Sequence, residues 1–320
     1  MMSFAPPREI VAREFTRMPK RFRRDGKRTE WADYNRGGQA VGCFLEGPCF
    51  DRAGNLHVVD IPFGRIFSIS SAGAWSLIAE YDGWPNGMKL HPDGRRFVIA
   101  DYKRGIMALD PGSGRVTPLV ETYRSEGFKG PNDLHVAPNG DLYFTDQGQT
   151  GLHDPTGRVY RLSARGRLDC LIDTVPSPNG LVLNKAGSQL LVAVTRANAI
   201  WRLPLMADGG VSKVGIFIQL SGGLGGPDGL ALDEDDNLAV CHLGLGVFLF
   251  DRVGRPLVHV KPPGAGLTTN LAYGGPEGRT IYVTESETGA ILTAEMPVRG
   301  RVASGGGRRG RGRSGVRPRD

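Results

Sequence analysis

Apolar residues come in short runs, each cut off by turn-forming residues. The clearest unit reads GMKLH, a turn at Pro92-Asp93-Gly94, RRFVIAD, the turn YKRG, IMALD, the turn GSG, then VTPLVE. Gly supplies positive φ, Pro presets φ, and Asp and Asn bond their own backbone, so this pattern predicts four short strands joined by tight turns. The unit recurs. One copy runs CFD-RAG-NLHVVD-IPFG-RIFSIS-SAG-AWSLIAE, and another runs LHVA-PNG-DLYFTD, a longer loop QGQTGLHDPTG, then RVYRLS-ARG-RLDCLID.

A polar residue opens each copy: Glu46, Asn86, Asn132, Asn179, Asp228 and Asn270, at intervals of 40, 46, 47, 49 and 42 residues. Six units between Glu46 and Met296 average about 42 residues, within the roughly 40–50 of propeller blades. The fold expected is all-β, a six-bladed β-propeller with four-stranded blades, whose radial arrangement leaves only short edges. The last unit supplies NLAYGG, RTIYVTE and AILTAEM and then runs out. Its fourth strand is expected from the N-terminus, Glu9 to Phe15, which closes the ring. The expected division is an N-terminal extension over 1–38 with the closing strand at 9–15, the propeller over 39–298, and a disordered Arg/Gly-rich tail over 299–320.

Charge is uneven along the chain. Residues 1–28 hold nine Lys or Arg against three acids, residues 301–320 hold seven Arg against Asp320, and the net charge is +7, so residues 29–300 carry −5. The basic balance therefore belongs to the ends. The tail resembles an RGG-type RNA-binding segment but has no interleaved aromatics, and a solubilising extension is the expectation. Four cysteines without CxxC spacing argue against a disulfide framework or a zinc knot. With no long apolar run and no apolar h-region, a soluble cytoplasmic protein with no membrane or nucleic-acid partner is expected.

In a propeller the innermost strands all start on one face, so a residue at one phase of every repeat lands on a ring around the axis. Two carboxylates and several amide oxygens suit a hard divalent cation, calcium first, with Mg²⁺, Mn²⁺, Zn²⁺ or Fe²⁺ as alternatives according to supply. A second periodic set lies 14 to 16 residues downstream: Asp60, Asp101, Asp146, Thr195, His242 and Glu285. Most of these are expected to bond turn amides. Asp146 and His242 are kept as secondary site candidates.

EGPCFD with VVDIPFGRIFSIS, GPNDL with APNGDLYFTD, SPNGL, and GPDGLALDEDDNL resemble the family of senescence marker protein-30, gluconolactonases and luciferin-regenerating enzyme, from about Phe44 to Ala294. The resemblance implies a six-bladed propeller with an axial divalent metal and hydrolysis of small cyclic esters by a metal-activated water. It implies Glu46, Asn179, Asp228 and Asn132 as metal residues and Asp228 as the catalytic proton acceptor and donor. Asn132, Asn86 and Asn270 are expected toward substrate from their place on the ring, with Asn86 an amide that several relatives lack. In gluconolactonases the Asn matching Asn132 is usually given to substrate or water. The chain departs from aldonolactonases at Gly130, where they carry Arg, and places Asn270 near a histidine of the related fluorophosphatase. The loop Asp146 to Gly157 is expected to roof the pocket. Two rivals remain: phosphotriester or fluorophosphate hydrolysis on the same ring, and a non-enzymatic binding propeller. Substrate identity and oligomeric state are not legible.

Overall fold

A computed structural model describes residues 4–264 and 266–301. Six sheets of consecutive strands follow one another along the chain and form the blades of a six-bladed propeller. Their innermost strands are Leu45–Phe50, Pro85–Leu90, Pro131–Val136, Pro178–Leu183, Pro227–Leu232 and Thr268–Gly274. The consecutive strands of each blade pair antiparallel, in chain order from the axis outward, and the N-terminal strands add to the outer edges of blades five and six.

The core is divided among the seams between blades. Each of six apolar clusters joins two neighbours, and each blade takes part in two clusters. Alternation along a second strand explains this. In Gln189–Val194, Leu190 and Val192 pack toward blade three, while Leu191 and Ala193 pack toward blade five. Successive side chains of a strand point to opposite faces, and both faces here are covered. The strand therefore reads as an unbroken apolar run.

The ring closes through the N-terminus, in a manner finer than the single strand expected. Arg13–Arg17 pairs antiparallel with Ala290–Glu295 and completes blade six. Arg8–Val11 instead adds parallel to Pro256–Lys261 as a fifth strand of blade five. The break falls at Ala12, which is buried between the two blades. One seven-residue strand would have to straddle two sheets that twist apart, so the chain splits it.

The extension then folds back over blades one and two. Phe22 packs edge-on against Phe67, and Arg65, paired with the buried Asp60, donates Nη1 to the Phe22 carbonyl. A short helix, Glu30–Asn35, is capped by the Thr29 hydroxyl and buries Trp31 against Phe44. At the other end, Arg299–Arg301 still bonds to blades five and six, through Arg299 O to Glu234 N, Gly300 N to Gly278 O and Arg301 N to Leu232 O. The Arg/Gly-rich stretch after residue 301 lies outside the described residues. Among those described, all four cysteines are free thiols, and no helix is long and apolar enough to cross a membrane.

Candidate active site on the propeller axis

Each innermost strand begins with a register shift against its neighbour, as at Pro85/Met88, Pro131/Leu134, Pro178/Leu181 and Pro227/Leu230. A bulge re-aims a side chain, and here it turns the residue after the Pro toward the axis. PNG at 85–87 and 178–180 and PDG at 227–229 are therefore strand-opening bulges, whereas PDG at 92–94 and PNG at 138–140 are hairpin turns. The downstream acids hold the same segment in place. Asp60 accepts from Phe44 N at 2.7 Å, Asp101 from Trp84 N at 3.1 Å and Asp146 from Gly130 N at 2.7 Å. In these three blades the bonded amide stands two residues before the ring position. Asp146 and His242 thus have structural partners: His242 bonds Asn198 and the Leu243 carbonyl. Neither lines the cavity described below.

Glu46, Asn86, Asn132, Asn179 and Asp228 line one cavity of about 520 Å³. Four of these five are buried, with Asn86 partly exposed. Asn270 does not join them. Its strand is in register with Thr268 at the position of Pro227 and Leu271 at that of Leu230, so Asn270 takes the place of Gly229 and Thr269 that of Asp228. The sequence reading placed Asn270 one residue out of phase, because TTNLA offers a more conspicuous Asn beside the correct Thr. Thr269 is spent on closure: its hydroxyl donates to the Leu45 carbonyl at 3.1 Å, tying blade six to blade one.

The next residue in each blade forms a second tier below the ring. Four blades place glycine there (Gly47, Gly87, Gly180 and Gly229), while blades three and six place Asp133 and Asn270. A Cβ on Gly87 would lie 2.2 Å from Asp133 Oδ1, and one on Gly229 would lie 2.3 Å from Asn270 Oδ1. The glycines leave room for one pair from opposite blades. Asn270 Nδ2 donates to Asp133 Oδ2 at 3.3 Å and to Glu46 Oε2 at 2.8 Å. Sequence reasoning missed Asp133. Its signal was present: PND stands where three other repeats read PNG or PDG.

Charge on the axis is concentrated and buried. Burial, followed by the Asp133 charge, pushes the Glu46 carboxyl up to about 7 despite hydrogen bonds from Gly47 N–H and Asn270. Asp228 is driven well above the usual carboxylate range by burial, then by Glu46 and Asp133, against a hydrogen bond with Asn179. Asn132 gives its Nδ2 to Gln147 Oε1 at 2.8 Å, and Gln147 gives its Nε2 to Ser177. That chain leaves the Asn132 carbonyl oxygen as the atom offered to the cavity. Gln147 was not singled out in the sequence, although it lies in the loop expected to roof the pocket. Among the described residues, no three His, Cys, Asp or Glu side chains form a metal cluster by themselves. The donor set depends on amide oxygens. Mutually repelling buried carboxylates flanked by carbonyl oxygens fit a hard divalent cation.

A sequence model described as the SMP-30/Gluconolactonase/LRE-like region matches residues 44–287. The chain belongs to this family. It is similar to the gluconolactonase of Zymomonas mobilis subsp. mobilis, 33% identical over 63% of this chain and 60% of that protein. It is also similar to lactonase drp35 of Staphylococcus aureus strain MW2, 32% identical over 70% of this chain and 71% of that protein. The match to the Zymomonas protein thus spans less than two thirds of that relative's length. Among solved structures, a gluconolactonase from Xanthomonas campestris is 25% identical with a TM-score of 0.70, covering 80% of this chain and 87% of that one.

Proposed function

We propose that this protein is a lactone hydrolase of the gluconolactonase type, opening small cyclic esters with water. The observation that carries the reading is the pair of buried carboxylates, Glu46 and Asp228, converging with Asn oxygens on one axial cavity. The gluconolactonase and lactonase relatives support the ester class. Asp228 is the proton acceptor. Burial and the neighbouring Glu46 and Asp133 charges raise its affinity for protons above that of an ordinary carboxylate, the direction a general base requires. It takes a proton from the water that attacks the ester carbonyl carbon, and returns it to the ring oxygen as the carbon–oxygen bond breaks. The product is the open-chain hydroxy acid.

Glu46, Asn179, Asp228 and Asn132 would hold a divalent cation, calcium in the first instance. Such a cation supplies Lewis acidity toward the ester carbonyl and its developing oxyanion. Asn132, oriented through Gln147, and Asn86 present amide groups to the substrate. Asn270 supports Glu46 and Asp133 from beneath and makes no substrate contact.

Metal analysis of the purified protein, followed by pH-stat titration on five- and six-membered lactones with and without chelator, tests the reading. Hydrolysis that chelation abolishes and calcium or another divalent ion restores is the expected result. Fluoride release from a fluorophosphate in place of lactone opening would overturn it, as would absence of turnover with every metal.

A further inference from the structure

The mouth of the cavity carries charge opposite in sign to its floor. Among the described residues that line it, the acids are Glu46 and Asp228, and the cations are Arg36 and Arg196. Arg36 follows the short helix of the N-terminal extension, and Arg196 lies in the turn Thr195–Ala197 that leaves the second strand of blade four. Two distant segments therefore bring guanidinium groups to one opening. Arginines that pair with acids, such as Arg65, Arg104 and Arg161, have their partners elsewhere on the surface or seams. Neither Arg36 nor Arg196 takes part in an ion pair among the described residues. The Arg196 charge reaches Asp228 and opposes the rise in its proton affinity, yet among those residues no carboxylate stands within ion-pair distance of either guanidinium.

A second cavity of about 550 Å³ adjoins the first and shares Asn35, Gln147 and Arg196 with it. Arg196 stands where the two meet. A ligand seated over Asp228 and reaching sideways would pass this guanidinium. A ligand that covers the mouth takes water from both arginines, and neutral hydroxyls repay that loss poorly. An oxyanion repays it through charge-assisted, often bidentate, hydrogen bonds, about twice as strong as neutral ones.

Building on the lactonase reading, we propose that Arg36 and Arg196 select lactones bearing an anionic substituent away from the ester, a carboxylate or a phosphate ester. The ester faces Asp228 on the floor, and the distal oxyanion takes the arginines at the rim. Both arginines are specificity-determining residues and take no part in bond breaking.

The test compares kcat/KM for glucono-1,5-lactone, a glucarolactone and 6-phosphogluconolactone in the wild type, Arg196→Ala, Arg36→Ala and Arg196→Lys. The wild type is expected to favour one or both anionic lactones. In Arg196→Ala the anionic-to-neutral ratio falls about 10- to 100-fold, mainly through KM, and Arg196→Lys recovers part of it. The preference also shrinks as salt rises. The two anionic lactones distinguish a carboxylate from a phosphate preference. Calorimetry with open-chain glucarate and gluconate gives a readout independent of turnover. If no lactone is hydrolysed but glucarate binds more tightly than gluconate in an Arg196-dependent manner, the lactonase reading fails and the selectivity of the mouth stands. Equal handling of charged and neutral compounds by the wild type, or an unchanged ratio in Arg196→Ala with its melting temperature intact, overturns the inference.

Discussion

At the scale of single residues, the site is two tiers on the axis, and each tier makes its own prediction. Replacing Asp228 by Asn keeps the shape and removes the base proposed above. Lactone turnover should fall by about 10² to 10⁴, while circular dichroism is unchanged. Turnover retained in this variant would remove Asp228 from the chemistry. One tier down, Asn270→Ala strips Glu46 and Asp133 of their shared donor. Asp133 Oδ2 is left without its donor, and Glu46 Oε2 keeps Gly47 N–H. A buried acceptor left unpaired costs about 1–3 kcal/mol, so chemical denaturation should show a clear loss of stability. The Glu46 shift has a sign that can be checked. Its folded pKa, raised to about 7 from the 4.5 of a free carboxyl, means the native state holds a proton that the unfolded chain has released. In cation-free protein the resulting stability is present below about pH 4.5 and is lost as pH rises through about 7. Melting temperature should therefore fall across that window in chelator, and added calcium should restore it most at the alkaline end. A flat profile would contradict the buried-carboxylate account.

At the scale of elements, strand starts and the extension do most of the positioning. The bulge after each Pro aims the ring residue, and an acid at the end of the second strand pins the amide two residues upstream. In blades one to three the spacing of 14 or 15 residues visible in the sequence is this clamp seen in one dimension, while Thr195 and His242 bond elsewhere. Its reach to the backbone of its own blade could not be read without the register. Trp31 is the counterpart from outside the repeats. It is buried against Phe44 and lines the cavity. Trp31→Ala should raise KM for lactones more than it lowers kcat, because it opens one wall while leaving Asp228 in place. It should also cost about 3–5 kcal/mol of stability as a large buried ring is lost. An unaltered KM would separate the helix from the site.

At the scale of the whole molecule, the ring is held shut by sequence-distant ties. Arg13–Arg17 completes blade six, and Thr269 and Ser286 both bond the Leu45 carbonyl, next to Glu46. Closure and the geometry of the axial cavity therefore share one seam. Removing residues 1–17 would expose the outer edge of blade six and the parallel edge of blade five. An uncovered edge strand is a template for pairing with other chains. The truncated protein should melt at lower temperature and elute partly as aggregate in size-exclusion chromatography. A truncated protein that elutes like the full-length chain and keeps its melting temperature would show that the apolar seams alone hold the ring.

The repeat, its period, the blade count and the acidic and amide character of the axis were legible in the sequence, because turn chemistry and strand alternation are local and recur with each unit. Glu46, Asn86, Asn132, Asn179 and Asp228 were found the same way, since a residue repeated at one phase must share one radius. Tertiary structure alone decided the rest. It moved Asn270 one tier down, brought Asp133 across the axis to meet it, and set Gln147 behind Asn132. It also divided the N-terminal strand between two blades and carried Trp31 and Arg36 to the mouth. These are contacts between segments far apart in the chain. Their partners are chosen by which backbones approach at the axis and where glycine leaves room, and neither property is written at any one position.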